Sequence, residues 1–99
     1  MTPQLSGGSE GRYALSGPIT FATARRVYDE GVRRFGAASG NALAVDCAGV
    51  SAADSAGLAV LIGWLAWSRR AGRTLRYSAL PASVLAIARI SEAEGLLRG

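Results

Sequence analysis

Residues 43–58 read LAVDCAGVSAADSAGL, and the character of this segment changes at its middle. The apolar run at 42–47 predicts a short strand that is buried on both faces, as strands in the middle of a sheet are. The small residues at 49–53 predict a loop. Asp54 then supplies a side-chain acceptor for the first N–H groups of a helix, which the pattern places at about 55–71. The segment therefore predicts a strand, a loop and a helix in direct succession.

The rest of the chain continues this alternation of strands and helices. Apolar and alternating runs predict strands at 12–15, 19–21 and 74–78, and three- and four-residue spacings predict helices at about 23–35 and 82–90. Gly72 is suited to end the long helix, whose last turn carries Arg69 and Arg70. The order is β-β-α-β-α-β-α, in which strands separated by helices pair in parallel. We predict one α/β domain at 12–99, preceded by a flexible polar leader at 1–11.

The residue types argue against an enzyme. The chain has 99 residues, 49% of them apolar, which suffices for one modest core. It has no histidine, so it lacks the usual general base, and its single thiol, Cys47, has no histidine to activate it. Its carboxylates show no metal-ligand spacing, and its glycines match no phosphate-binding loop. We predict a non-catalytic protein that needs no metal or cofactor.

Charge and hydropathy restrict the partners and the location. The net charge is +4, and all eleven basic residues are arginines in scattered small groups, so no nucleic-acid binding is expected. The first residues do not place an apolar segment after a basic one, as a signal peptide does. The longest apolar run, at 56–67, is shorter than the ~20 residues that span a bilayer. We expect a cytoplasmic protein without direct membrane insertion.

The predicted long helix carries two apolar stripes. At about 100° per residue, one stripe consists of Leu58, Leu61, Ile62 and Leu65 and is expected to face the core. The stripe on the opposite side consists of Ala56, Val60, Gly63, Trp64 and Trp67. Tryptophan is enriched where proteins bind each other. Two interpretations follow: the second stripe is an exposed docking surface at Val60, Trp64 and Trp67, or neighbouring helices cover both tryptophans.

The same residues resemble the signature of the STAS domain family. That signature is an apolar strand ending in Asp, a short loop, and Asp-Ser-x-Gly-Leu at the start of a helix, here Asp54, Ser55, Gly57 and Leu58. Segments 17–20 and 73–81 resemble further parts of the family pattern, so the resemblance covers about residues 12–97. It implies the STAS fold, a small mixed β-sheet flanked by about three helices. Asp54, Gly57 and Leu58 are then structural, with Gly57 permitting close backbone packing.

Two groups within this family imply different functions. Anti-sigma-factor antagonists are phosphorylated on a serine directly before the motif glycine, and that position is Ala56 here. The STAS subunits of Mla-type phospholipid ABC transporters (MlaB-like) have a Ser or Thr at the position of Ser55 and a tryptophan-containing apolar central helix. This closer resemblance implies a cytoplasmic subunit, recruited to the inner membrane, that binds and supports the transporter ATPase. Mla-type systems maintain outer-membrane lipid asymmetry. The alternative is an anti-sigma-factor antagonist in a phosphorylation-controlled partner switch.

The partner-binding residues expected from this reasoning are Ser55, Ala56, Val60, Trp64 and Trp67. Ser55 itself has three interpretations, namely a helix cap together with Asp54, a polar contact to the ATPase, and a phosphoacceptor. A further hypothesis is that the isolated chain forms a homodimer through the tryptophan stripe.

Overall fold

A four-stranded sheet forms one layer of the molecule, and helices pack against one of its faces. The computed structural model describes residues 2–90 and 94–98. The strands are β1 (Gln4–Gly7), β2 (Arg12–Ile19), β3 (Ala42–Ala53) and β4 (Thr74–Ser78), with a 3-10 turn at Ser9–Gly11 between the first two. The helices are α1 (Ala24–Ala37), α2 (Ser55–Arg70), α3 (Ala82–Ile90) and α4 (Glu94–Arg98).

The pairing of the strands confirms the predicted α/β architecture with a mixed sheet. The strands lie in the order β1-β2-β3-β4. β1 runs antiparallel to β2, whereas β2 with β3 and β3 with β4 are parallel pairs joined by the crossover helices α1 and α2. The order β-β-α-β-α-β-α is the predicted one, with α4 as an additional short helix.

β3 lies in the middle of the sheet but is buried on one face only. Leu43, Val45 and Cys47 are buried, while Ala44 and Asp46, which alternate with them, are exposed. The predicted burial on both faces is therefore wrong, because the helices lie on one side of the sheet and the other side is open. The predicted loop at 49–53 is also wrong, since these residues continue the strand and pair with β2.

The predicted flexible leader contains a strand. Residues 4–7 form β1, in which Leu5 lies opposite Leu15 of β2 and is only 4% exposed. The guanidinium of Arg34 in α1 donates to the carbonyls of Leu5 and Gly7. One buried leucine and these hydrogen bonds attach the segment to the domain, although its composition is polar.

β2 extends from the predicted strand at 12–15 to Ile19, whereas Thr20 and Phe21 of the predicted strand at 19–21 lie in the loop before α1. Gly17 and Pro18 do not end the strand, which continues to Ile19. The pairing with β3 shifts register there, and Gly17 adopts a positive φ of 87° that glycine tolerates. The strand continues through this irregularity.

Gly31 of α1 provides the space that the indole ring of Trp64 in α2 occupies. A Cβ atom at Gly31 would overlap that ring. A converse contact lies beside it, because a Cβ at Gly63 of α2 would lie 2.9 Å from the ring of Tyr28 in α1. The Trp64 Nε1–H donates to the Tyr28 carbonyl at 3.1 Å, so the buried indole nitrogen is satisfied.

Phe35 links the helices to the sheet through an aromatic cluster. Its ring centroid lies 5.0 Å from that of Tyr13 in β2 and 5.1 Å from that of Trp64, both in edge-to-face geometry. The tilted ring of Trp67 is 6.1 Å away. Phe35 and Trp64 are both fully buried. Edge-to-face pairs of this kind add stabilisation beyond the area that they bury.

Two glycine substitutions within α1 test this packing. Gly31→Ala should destabilise the protein by about 1–3 kcal/mol, because the Trp64 ring must move to admit the methyl group. Gly36→Ala is the matched control, since its Cβ would lie 3.7 Å from Trp67 in ordinary contact. There the gain in helix propensity should raise stability by up to about 1 kcal/mol. Urea unfolding measures both, and equal effects of the two variants would contradict the packing described.

Candidate functional site

Asp54 joins two separate segments at one end of the sheet. It lies between β3 and α2 as the N-cap of the helix. Its Oδ1 accepts from the backbone N–H groups of Ala56 at 2.9 Å and Gly57 at 3.1 Å, and its Oδ2 accepts from that of Phe21 at 3.0 Å. The N–H groups of Phe21 and then Gly57 contribute most to lowering the pKa of this carboxyl. The ionised carboxylate thus holds the start of α2 beside the loop between β2 and α1.

The loop between β2 and α1 presents Phe21 to solvent. The Thr23 hydroxyl accepts from the Thr20 N–H at 3.0 Å and lies within 3.2 Å of the Pro18 carbonyl, to which it donates. Together with the bond from Phe21 to Asp54, these contacts order the loop. The Phe21 side chain nevertheless remains 87% exposed. An exposed aromatic ring on an ordered loop can act as an anchor for another protein, because aromatic side chains often contribute most to interface binding.

Gly57 lies where the first turn of α2 meets the end of β2. A Cβ there would overlap the Ile19 carbonyl oxygen and lie 3.1 Å from the Ala53 Cβ. Leu58, the next residue, is buried at 5% exposure. The motif glycine and leucine therefore set how closely the helix approaches the sheet.

Ser55 and Ala56 occupy the first turn of α2. Ser55 is exposed, and its hydroxyl makes no hydrogen bond with any residue that the structure describes. Asp54 alone provides the side-chain cap, so capping does not require Ser55. Ala56 is half-buried and has no hydroxyl to phosphorylate.

The second apolar stripe of α2 is not an exposed surface. Val60 is 4% exposed and Trp64 is fully buried beneath α1, while Trp67 is half-buried. Trp67 contacts Phe35 and lies 6.0 Å from the guanidinium of Arg73. The prediction of an exposed stripe is therefore wrong for Val60 and Trp64, because α1 packs against that side of α2. The alternative interpretation, in which neighbouring helices cover both tryptophans, is correct for Trp64, which is fully buried, and partly correct for Trp67, which is half-buried.

The solvent-facing side of α2 lies between the two predicted stripes and includes Ile62, which the sequence analysis assigned to the edge of the core-facing stripe. It carries Ser55, Ala59, Ile62 and Ala66, of which Ile62 is half-buried and the others exposed. α1 differs, since its exposed residues between 24 and 35 are all charged: Arg25, Arg26, Asp29 and Arg33. We refer to Phe21 with Ser55, Ala59, Ile62 and Ala66 as the docking face. The sequence analysis did not select Ala59 and Ala66 because the outward angle of α2 depends on the position of α1, and it did not select Phe21 because it assigned this residue to a strand.

Two groups that can take part in catalysis, the Cys47 thiol and the Tyr77 phenol, are held in the core. Cys47 is fully buried, and burial together with the neighbouring Asp46 charge raises the pKa of its thiol to about 12. Tyr77 donates to the Leu61 carbonyl at 2.6 Å, and burial raises the pKa of its phenol. Among residues 2–90 and 94–98, no three His, Cys, Asp or Glu side chains group as metal ligands. None of the helices in these ranges has the length and hydrophobicity needed to cross a membrane.

Comparison with known proteins identifies the family. A family model described as "Mlab, STAS domain" matches residues 5–98, and the chain belongs to the STAS domain family. Among solved structures, it is similar to that of the anti-sigma factor antagonist SpoIIAA in its unphosphorylated form. The TM-score is 0.72 at 10% sequence identity, with 95% of this chain and 84% of that chain covered, which shows a shared fold. No curated protein matches the chain.

The hydrogen bonds that the Asp54 carboxylate accepts predict how the stability of the fold depends on pH. Its lowered pKa means that the carboxylate stabilises the fold above its ordinary pKa of 3.8, and that this stability is lost as the pH falls through the lowered value. Asp54→Asn should therefore melt at a lower temperature than the parent at neutral pH. The difference should shrink in acid, where the parent carboxyl is also neutral. Thermal melts across this range measure it.

Asp29→Asn serves as the control for this test, because it removes the same charge from an exposed ion pair with Arg25. Little change in melting temperature is expected for it. Amide hydrogen exchange at Phe21 should accelerate in Asp54→Asn only. A melting difference that stays constant into acid would contradict the role given to the charged carboxylate.

Proposed function

We propose that this chain is a non-catalytic, cytoplasmic STAS subunit that binds and supports the ATPase of an Mla-type phospholipid ABC transporter. In this role it is recruited to the inner-membrane complex through the ATPase, in a system that maintains outer-membrane lipid asymmetry. The docking face is the observation that carries the proposal. It consists of uncharged residues of α2 from Ser55 to Ala66, with the exposed Phe21 ring on the loop that Asp54 holds beside the start of the helix, while the exposed Arg69 and Arg70 follow in the last turn.

The docking face has the composition of a protein-binding surface. Aromatic side chains are the common anchors of interfaces, and small side chains around them let a partner approach the helix backbone closely. Ser55 adds a hydroxyl with no described partner at the edge of this surface. Phe21 is therefore the expected anchor, and Ser55 the expected polar contact to the ATPase.

The choice of an ATPase partner over a kinase-regulated one rests on the motif and the family description. The matching family model is described as Mlab, STAS domain. The position before the motif glycine, where anti-sigma-factor antagonists have a phosphorylated serine, is Ala56. A methyl group cannot accept a phosphate, so the switch used by those antagonists has no acceptor at this position.

The proposed mechanism is differential binding. The chain stabilises the assembled, active state of the ATPase to the extent that it binds that state more tightly than others. It contributes no catalytic group. Asp54 accepts backbone hydrogen bonds from the two segments that carry Phe21 and Ser55, and these bonds hold both segments in place before a partner binds. Less conformational entropy is then lost on binding.

The second candidate function is that of an anti-sigma-factor antagonist. The observation that favours it is the similarity in fold to SpoIIAA, whose described structure is the unphosphorylated form. In this case the partner is an anti-sigma factor with kinase activity, and Ser55 is the exposed hydroxyl nearest to the usual acceptor position.

A capture experiment separates the two functions. The tagged chain is used to isolate partners from native lysate, and mass spectrometry identifies them. The proposal predicts an ABC ATPase together with its permease, and no phosphate on the chain after incubation with the captured partner and ATP. Capture of a kinase-like sigma-factor regulator, with an added phosphate in the intact mass, would establish the second function instead.

Matched Ala→Glu variants locate the surface in the same assay. Ala59→Glu places a charge in the middle of the docking face, whereas Ala44→Glu places the same charge on the open face of the sheet, and both positions are exposed. Ala59→Glu should reduce recovery of the ATPase at least about ten-fold, as expected for a charge buried unpaired at an interface. Ala44→Glu should leave recovery unchanged. Unchanged recovery with Ala59→Glu and reduced recovery with Ala44→Glu would instead indicate that the partner binds the open face of the sheet.

A further inference from the structure

A cleft of about 250 Å³ lies on the open face of the sheet, where β2, β3 and β4 run side by side. β3 contributes Ala42 and Ala44 to its lining, and both are exposed. The strand on one side contributes Arg12, and the strand on the other side contributes Thr74 and Arg76. The docking face contributes none of these residues.

The register of the sheet places the two arginines on either side of Ala44. Arg12 of β2 pairs with Ala44, and Ala44 pairs in turn with Arg76 of β4. All three side chains are exposed, so they share the open face. Neighbouring strands lie about 4.8 Å apart, so the Cα atoms of the two arginines are about 10 Å apart. Two long cationic side chains therefore rise from one row of the sheet with only a methyl group between them.

Neither arginine is neutralised by a carboxylate of the described residues, since none of these forms an ion pair with Arg12 or Arg76. Asp46 lies in the next row of the same face. Its Oδ1, however, accepts from the backbone N–H of Ala48 at 2.8 Å. This carboxylate is therefore engaged by its own strand and leaves both guanidinium groups unpaired.

The turn before β2 forms one end of the cleft. Gly11 lies directly against β3, because a Cβ atom there would overlap the Ala42 carbonyl oxygen. The preceding residue, Glu10, also lines the cleft and is exposed. The lining thus carries two guanidinium groups against a single carboxylate, and its net charge is positive.

Two guanidinium groups on opposite sides of a cleft suit an anion that has oxygens on both sides. Like charges held close together raise the local potential and attract such an anion. Each planar guanidinium donates paired hydrogen bonds, and a phosphate group has enough oxygens to accept a pair from each side. The small side chains of Ala42 and Ala44 leave room for the group between the arginines.

We propose that this cleft binds the phosphate group of a small soluble molecule through Arg12 and Arg76, with the Thr74 hydroxyl as a further donor. A soluble molecule fits better than a lipid, because the one large apolar residue of the lining, Leu43, is only 2% exposed and offers no surface to an acyl chain. The site does not depend on the docking face or on the transporter assignment.

Titration with inorganic phosphate tests the site directly. Backbone amide NMR spectra of the whole chain are followed at constant pH and ionic strength, with chloride replaced by phosphate. Saturable shifts are expected at residues 10–12, 42–44 and 74–76. Arg12→Gln combined with Arg76→Gln should weaken the binding at least about ten-fold, because two charge-assisted contacts are lost.

The control removes the same charge elsewhere. Arg26→Gln combined with Arg33→Gln changes two exposed arginines of α1 and should leave phosphate binding within about two-fold. Melting curves of both double variants establish that they are folded. Absence of saturable binding by the parent chain, or equal weakening in both double variants, would overturn the proposal.

Two Ala→Glu variants separate this site from the docking face. Ala44→Glu places a carboxylate between the two arginines, so it should abolish phosphate binding and leave recovery of the ATPase unchanged. Ala59→Glu should have the opposite effect on each measurement. The pKa of the introduced carboxyl, followed by NMR, should be lower in Ala44→Glu than in Ala59→Glu, because nearby guanidinium groups stabilise the charged form. Equal pKa values in the two variants would contradict the convergence of the arginines over this position.

Two further ligands distinguish the sources of the phosphate. Glycerol phosphate lacks an apolar part, whereas a short-chain phosphatidic acid, used below its micelle concentration, carries the same group with one. A site for a soluble molecule predicts that both compete with inorganic phosphate and bind equally well. Tighter binding of the phosphatidic acid would contradict the soluble source, and failure of both ligands to compete would contradict the site.

Discussion

The contact of the Trp64 indole with Gly31 is the constraint on which the rest of the structure depends. Two helices can pack this closely only because each has a glycine opposite an aromatic ring of the other, Gly31 for Trp64 and Gly63 for Tyr28. The buried indole then meets Phe35, which connects the helix layer to the sheet. The same contact decides which surface is left for a partner, since it turns the tryptophan side of α2 inward and the Ser55, Ala59 side outward.

Asp54 connects this packing to the proposed function. An N-cap ordinarily stabilises only its own helix, but this carboxylate also accepts from Phe21, which is 33 positions away in the chain. The docking face is consequently assembled from two segments that a single charged side chain holds together. Gly57 contributes to the same arrangement by allowing the first turn of α2 to lie against the Ile19 carbonyl. The family motif therefore holds these two segments in place, and the exposed residues beside it are the ones proposed to contact a partner.

The features that were predictable from the sequence depend on local signals. Asp54 starts α2 and Gly72 ends it because capping involves residues within a few positions of each other. The choice between an exposed and a covered Trp64 could not be made from the sequence, since the helical wheel gives angles within α2 but not the position of α1. The open face of β3 was missed because alanine counts as apolar while it tolerates exposure, as at Ala44. β1 was missed because Leu5 is the one buried side chain in a polar segment.

Hydroxyl-radical footprinting of the isolated chain and of its complex with the captured ATPase can show whether Phe21 and the outer side of α2 contact the partner. Phe21 and Ile90 are matched probes, because their side chains are 87% and 85% exposed. Phe21 should be oxidised in the isolated chain and protected in the complex, while Ile90 should be oxidised equally in both. Unchanged oxidation of Phe21 in the complex would contradict this contact.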